Sequence, residues 1–239
     1  MAVDVDGRHT DAMIDRGTDF PEIYSISYYA QHTVEPAESE TRSVARAILR
    51  LVNEDRDEPV ASVIDVGCAN GVMLSEFANM GVKNYWGIDS PHAVKTLAGT
   101  RLLRIPAERI LQVDLRDIDR AFHDEAFSRP PLDTVNTVDL VICSETGEHL
   151  PAEQAEGLMR LLRSLCHGYV VFGAAHEGQD GASNKSHINE RDLPYWTNMA
   201  GLAGLVYDEW MSRRLKSRIE TVAPHCPWFH QNLAIYRVK

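Results

Sequence analysis

The sequence predicts an α/β fold, with a mostly parallel sheet covered on both faces by helices. Three observations carry this. From Val60 onward, short apolar runs alternate with amphipathic ones, the pattern of parallel strands joined by crossover helices. A turn with two glycines, 67-GCANG-71, follows the first apolar run; glycine lets the chain turn sharply and lets a ligand approach the main chain. Acids then close the next two runs at Asp89 and Asp114, and in such sheets ligands bind beyond the carboxyl ends of the strands.

The elements follow in order. Residues 1–17 are polar, acidic and without period, the composition of a loose tail. In 20-FPEIYSISYYAQH-32, Tyr24, Tyr28 and Tyr29 fall near one face of a helix, either as docked core or as a wall of the site. Ala37–Asn53 has helical spacing, with Val44, Ala47, Ile48 and Leu51 on one face. The stretch 54-EDRDEP-59 is a charged linker. The first strand is 60-VASVIDVG-67, followed by a helix over 72-VMLSEFANM-80 that Gly81 ends. A strand at 85-YWGID-89 leads into a helix from Pro91 to Leu103, with proline at its start. Strands are expected at 109-RILQVDL-115, 138-VDLVICSE-145 and 168-GYVVFGAA-175, with a helix from Pro151 to Cys166. A helix over Glu190–Ala203 and two strands, 205-LVYDEWM-211 and 232-NLAIYRV-238, complete the chain.

The net charge of -11 argues against a broad basic face for nucleic acid. The cluster of Arg213, Arg214, Lys216 and Arg218 is read as a solvated face. Four cysteines form no C-x-x-C pair, so neither a zinc cluster nor a disulfide framework is expected, and Cys143 and Cys166 read as buried thiols. No apolar run is long enough to span a membrane, and the start lacks a signal-peptide core, which sets the expectation of a cytosolic protein without membrane contact.

The residues at the strand ends narrow the chemistry. Asp89 lies about twenty residues beyond the glycine turn, where a carboxylate can accept hydrogen bonds from two ribose hydroxyls. Asp114 can meet an adenine amino group, and Asp65 suits a cationic ligand or fixes the loop; each acid alone would also serve as a helix cap or a solvated strand end. A dinucleotide is disfavoured, because the spacing is G-x-x-x-G instead of G-x-G-x-x-G and an acid precedes the first glycine, where it would repel a diphosphate. A sulfonium cofactor without phosphate suits the acids.

These motifs, VIDVGCANG, YWGIDS, LQVDLRD and DLVICSETGEHLP, resemble in succession those of class I S-adenosylmethionine-dependent methyltransferases, over roughly Val60 to Ala175. The segments EGQDGASNKSHINERDLPYW and WFHQNLAIYRV resemble one bacterial branch that methylates small molecules. The resemblance implies a Rossmann-like seven-stranded sheet with its last strand antiparallel. It divides the chain into a tail and helical cap over the active site, 1–58, and a cofactor-binding domain, 59–239. It puts Gly67, Cys68, Ala69 and Gly71 against the methionine part of the cofactor, with Asp65 near its amino group. Asp89 with Ser90 holds the ribose, Asp114 with Leu115 flanks the adenine, and Ser144 and Glu145 face the methyl group. Ala69 replaces a glycine common in this loop, so an ordinary negative φ is expected there.

Methyl transfer needs alignment and, for a protonated acceptor, a base. His149 is one candidate, since imidazole titrates near neutrality; the alternative is that Glu148-His149 only fixes the loop. The long polar loop after the fifth strand brings His176, Gln179, Asp180, Asn184, His187 and Asn189 toward the acceptor, with His187 as the second candidate base. Tyr24 and Tyr28 are expected on the opposite side. E-x-x-E-H with a distant histidine also resembles the metal site of small-RNA 2′-O-methyltransferases, in which case Glu145, Glu148, His149 and His187 would hold a divalent cation that acidifies a hydroxyl. Strand four ends in CSET, without the Pro-Pro-aromatic signature of enzymes acting on exocyclic amines. The expectation is methyl transfer to O or N of a small polar metabolite, with no metal and no nucleic acid, in a chain that could pair as a homodimer. The alternatives are a metal-dependent RNA methyltransferase and a cofactor-binding protein without transfer.

Overall fold

The structure is a computed structural model that describes residues 24–31, 33–119, 137–179 and 185–239. The expected tail, residues 120–136, and two loop residues singled out above, Asp180 and Asn184, lie outside the described residues.

The described elements are α1 Ile26–Gln31, α2 Ala37–Glu54, β1 Ser62–Val66, α3 Val72–Asn79, β2 Asn84–Asp89, α4 Pro91–Leu97, β3 Ile110–Gln112, β4 Val138–Ser144, α5 Ala155–Leu165, β5 Cys166–Gly173, α6 Leu193–Leu202, β6 Leu205–Tyr207, α7 Glu209–Val222, α8 Pro227–Asn232 and β7 Ala234–Val238. The strands form one seven-stranded sheet in the order β3-β2-β1-β4-β5-β7-β6. β7 runs antiparallel to both its neighbours, and the other paired strands run parallel. Strand order reverses between β1 and β4, so a crevice opens at their carboxyl ends.

Alternation along the strands builds two cores. Val63, Leu140, Ile142, Val171 and Ile235 face a cluster with α2, α3, α7 and α8. Ile64, Val66, Val141, Cys143, Val170 and Tyr236 face the other, with α5 and α6. The expected face of α2 is buried at Val44, Ala47, Ile48 and Leu51, and α2 packs on α3 and α7. All four cysteines are buried free thiols.

Several boundaries differ from expectation, each for a local reason. α4 ends at Leu97, because Ala98 turns to ψ 131° and Gly99 adopts φ 74°; the helix does not reach Leu103. β3 is confined to Ile110–Gln112 between short helical turns, and α5 begins only at Ala155 after a 3-10 turn. α6 starts at Leu193, three residues after the expected Glu190, with proline at its first turn. The run LVYDEWM is a strand only to Tyr207. Asp208 then caps a helix, its side chain accepting the Met211 N–H at 2.9 Å. Met211, Leu215 and Ile219 form that helix's buried face. The basic cluster lies on the solvated face, as expected, and adds surface ties there: Arg214 and Arg218 reach Glu54 at 2.9 and 2.6 Å, and Arg213 pairs with Glu209. Lys216 donates to the Gln231 carbonyl at 2.7 Å.

Candidate active site

The glycine turn is assembled from both ends of the crevice. Gly67 has φ 78° and Gly71 φ 75°, which side chains rarely adopt. A Cβ on Gly67 would stand 2.1 Å from Thr146 Oγ1, and one on Gly71 2.6 Å from Ile105. Contrary to the expected negative value, Ala69 sits at φ 46°. The cause is Asp89: its Oδ2 accepts the Ala69 N–H at 2.7 Å and its Oδ1 the Ser90 N–H at 2.7 Å. A charged acceptor on the next strand holds an alanine in a left-handed conformation that costs about 1–2 kcal/mol.

Two adjoining cavities share Tyr28, Gly67, Ala69, Glu145 and His149. The smaller, about 110 Å³, is bounded by Asp89, Ser90, Asp114, Leu115 and Arg116, with Tyr24 and Tyr29 across from them. The larger, about 430 Å³, is bounded by Asp65, Cys68, Ser144, Glu148, Gln179 and His187, with Trp228 and Phe229 beside them. α1 therefore lies against the first cavity, with His92 Nε2 bonded to the Tyr24 carbonyl at 3.0 Å. Asp114 is gripped by Arg116, which bonds both its oxygens at 2.9 and 2.6 Å and holds its carboxyl below the usual range despite burial. Arg116 was not singled out from the sequence.

The acids on β1 and β2 are electrostatically strained. Burial, and then the charge of Asp89, pushes the Asp65 carboxyl up to about 7. Burial also raises Asp89, against the N–H donors of Ala69 and Ser90.

The end of β4 gathers the remaining polar groups. Glu145 has φ 51°, a strained conformation of the kind found at functional sites. Its Oε1 accepts from Asn232 Nδ2 at 2.9 Å, and Gln179 Nε2 approaches Oε2 at 3.5 Å. Glu148 is fully buried, with neither carboxyl oxygen in a hydrogen bond of ordinary geometry among the described residues. Burial, and then the charge of Glu145, raises it well above the carboxylate range.

The two candidate histidines meet. Their rings are 4.8 Å apart, and His149 also stands edge-on to Tyr24 at 5.7 Å. His149 Nδ1 bonds the Ser186 carbonyl at 3.1 Å, and His187 Nδ1 bonds Glu190 at 2.9 Å. Both partners are acceptors, so both Nδ1 atoms carry hydrogen and the basic lone pair of each neutral ring lies on Nε2. Glu190 and Asn232 are the partners that sequence reasoning missed. His176 and Asn189 do not line either cavity. His176 Nδ1 bonds the Glu177 carbonyl, whereas Asn189 is buried and its N–H, with that of Ile188, ties the Glu148 carbonyl. One potential ligand atom from each of Glu148, His149 and His187 lies within 4.8 Å of the other two. Glu145 stands outside that group, its carboxylate engaged by Asn232 and Gln179.

An open parallel sheet with a reversed last strand, a glycine turn and acids at successive strand ends defines the class I methyltransferase architecture. A family model described as a methyltransferase domain matches residues 36–226. The chain belongs to that family and is an S-adenosylmethionine-dependent methyltransferase. It is 29% identical over 186 residues to a ubiquinone biosynthesis O-methyltransferase of Xanthomonas euvesicatoria pv. vesicatoria, covering 67% of this chain and 72% of that protein. Its fold is similar to that of a SAM-dependent methyltransferase from Archaeoglobus fulgidus, with a TM-score of 0.57 and 15% identity, over 90% of this chain and all of that one. Human N-acetylserotonin methyltransferase in complex with SAM superposes with a TM-score of 0.54 at 14% identity, over 92% of this chain. An O-methyltransferase family protein from Burkholderia thailandensis gives 0.52 at 14% identity, over 91%. The chain spans only 58% and 63% of the lengths of these last two. Among the described residues no helix is long and apolar enough to cross a membrane.

Proposed function

We propose that the protein moves the methyl group to an oxygen or nitrogen of a small polar molecule held in the larger cavity. The observation that supports this best is the meeting of His149 and the His187–Glu190 pair at the end of β4, beside the glycine turn. Bound S-adenosylmethionine supplies an electrophilic methyl carbon on a sulfonium. In this reading the loop from Gly67 to Gly71, including Cys68, carries the methionine part, with Asp65 at its amino group. Asp89 and Ser90 hold the ribose, Asp114 and Leu115 border the adenine, and Ser144 and Glu145 lie nearest the methyl. Tyr24 and, on α1, Tyr28 cover the adenosine side. His187 Nε2, oriented by Glu190, takes the acceptor proton, and His149 is the second candidate. Gln179 belongs to the acceptor wall. Net charge -11 and a cavity lining without Lys or Arg among the described residues favour a small molecule over nucleic acid.

One observation favours a second reading. The Glu148–His149–His187 group, with both Nδ1 atoms held by outer acceptors, fits a divalent cation that would acidify an acceptor hydroxyl. A panel of phenols and amines with isotopically labelled S-adenosylmethionine tests both. Transfer that survives EDTA supports the metal-free reading; loss restored by added Mg²⁺ or Mn²⁺ supports the second. No transfer to any member, despite tight cofactor binding, counts against both.

The Asp65 proton gives a pH prediction. A cationic ligand group needs this carboxyl ionised, and its folded value of about 7 lies above the ordinary 3.8. S-adenosylhomocysteine should therefore bind more tightly as pH rises, by about tenfold from pH 6 to 8. In the ligand-free protein the same raised value makes Asp65's contribution to stability fall as pH rises from 4 to 7. Calorimetry should show the slope in the natural protein and its loss in Asp65→Asn.

A further inference from the structure

We infer that Arg116 is a positioning residue for cofactor selection: it orients Asp114 so that one carboxylate oxygen reads the 6-amino group of adenine. This rests on the methyltransferase reading, in which Asp114 borders the adenine. Arg116 is the one Lys or Arg that borders either cavity among the described residues. S-adenosylmethionine is a sulfonium without phosphate, so nothing at its nucleoside end calls for a cation. Attraction to the ligand therefore does not account for an arginine at the smaller cavity, whereas its grip on Asp114 does.

The guanidinium forks across the carboxylate. Its Nε donates to Oδ1 at 2.9 Å and its Nη2 to Oδ2 at 2.6 Å. The Arg116 main-chain N–H donates to the same Oδ1 at 3.0 Å, which is how Asp114 caps the short turn Leu115–Asp117. A carboxylate offers about four acceptor sites. Among the described residues two donors occupy Oδ1 and one occupies Oδ2, which leaves a single site on Oδ2.

A single acceptor held at a fixed angle distinguishes a donor from another acceptor. The N–H of a 6-amino group fits it, and a 6-keto oxygen would face it with like partial charge. Without the guanidinium, only the main-chain bond to Oδ1 remains. Oδ2 is then hydrated and free to turn, and ligand binding carries the cost of ordering it. The pair stands at the cavity rim, with side chains 34% and 41% exposed. An ion pair this open contributes little to stability, and the turn keeps its anchor in the buried Leu115. Removing the guanidinium therefore releases the carboxylate and leaves the fold in place.

S-adenosylhomocysteine and S-inosylhomocysteine differ at the purine 6-position, amino against keto, and calorimetry compares their affinities. The natural protein should prefer S-adenosylhomocysteine by about thirtyfold, the scale of one hydrogen bond to a charged acceptor. Arg116→Ala should cut the preference to about threefold. Arg116→Lys should fall between, because an ammonium cannot fork across both oxygens, and it serves as the test where thermal unfolding shows that the alanine variant is destabilised. Asp114→Ala should erase the preference, and adding Arg116→Ala to it should change the ratio no further, since Arg116 acts through Asp114. Damage to the cavity's shape would weaken both ligands alike and leave the ratio unchanged. Equal losses for both ligands in the Arg116 variants, a natural protein that does not distinguish the ligands, or an effect of Arg116→Ala on the ratio that persists in the Asp114→Ala background overturns the inference. Retention of the preference in Asp114→Ala overturns both the inference and the placing of adenine beside Asp114. Failure of S-adenosylhomocysteine itself to bind the natural protein would instead strike the methyltransferase reading.

Discussion

Replacing Asp89 with alanine should weaken S-adenosylhomocysteine binding by about 3 kcal/mol, roughly a hundredfold or more. The size follows from two roles carried by one carboxylate. Its oxygens lie at the smaller cavity, where ribose hydroxyls would donate to them, and hydrogen bonds to a charged acceptor contribute about 1.5–3 kcal/mol. The same oxygens accept the N–H groups of Ala69 and Ser90 at 2.7 Å. Without them Ala69 has no cause to remain at φ 46°, and the turn loses the shape that admits the cofactor. Asp89→Asn should fall between, because an amide offers one acceptor oxygen where two N–H groups need one each. Calorimetry measures the affinity, and denaturant unfolding shows the accompanying loss of stability. Unchanged affinity in Asp89→Ala would show that neither role exists.

This double role also marks the limit of sequence reasoning. Asp89 was legible as a candidate ligand residue because it closes a strand about twenty residues after the glycine turn. Its hold on Ala69 was not, because a backbone angle on one strand depends on a carboxylate of the next. The sheet itself was legible where periodicity is strong: β1, β4, β5 and the face of α2 fall where the alternation puts them. It failed where a cap overrides an apolar run. The letters LVYDEWM continue a strand-like texture, yet Asp208 closes on Met211 and turns the rest into α7, whose arginine-rich composition hides its buried face of Met211, Leu215 and Ile219.

At the site the same division holds. His149 and His187 were separately identifiable as polar residues on loops at the β4 and β5 ends, 38 positions apart, and the fold brings their rings within 4.8 Å. Glu190 was read only as the start of a helix, since its pairing with His187 comes from a turn that is neither helix nor strand. Asn232 is 87 positions from Glu145, and no local pattern could join them. The sheet order does, by setting β7 beside β5 and α8 over the crevice mouth.

The histidine pair yields the largest expected kinetic effect. His187→Ala should lower turnover by roughly 10²–10⁴, the range for losing a general base. S-adenosylhomocysteine affinity should stay nearly intact, because His187 lines the larger cavity and not the one bounded by Asp89 and Asp114. Glu190→Gln should cost less, since a glutamine oxygen can still accept the Nδ1 hydrogen at the 2.9 Å now spanned by the carboxylate. A general base acts only on a proton that must leave. The loss in His187→Ala should therefore shrink for a nitrophenol acceptor that is already ionised at the assay pH, whereas damage to the cavity's shape would slow both acceptors alike. His149→Ala run beside it decides between the rings: the histidine whose removal shows this acceptor dependence is the base. If both variants keep near-natural rates, the acceptor arrives as a free nucleophile and alignment alone carries the transfer.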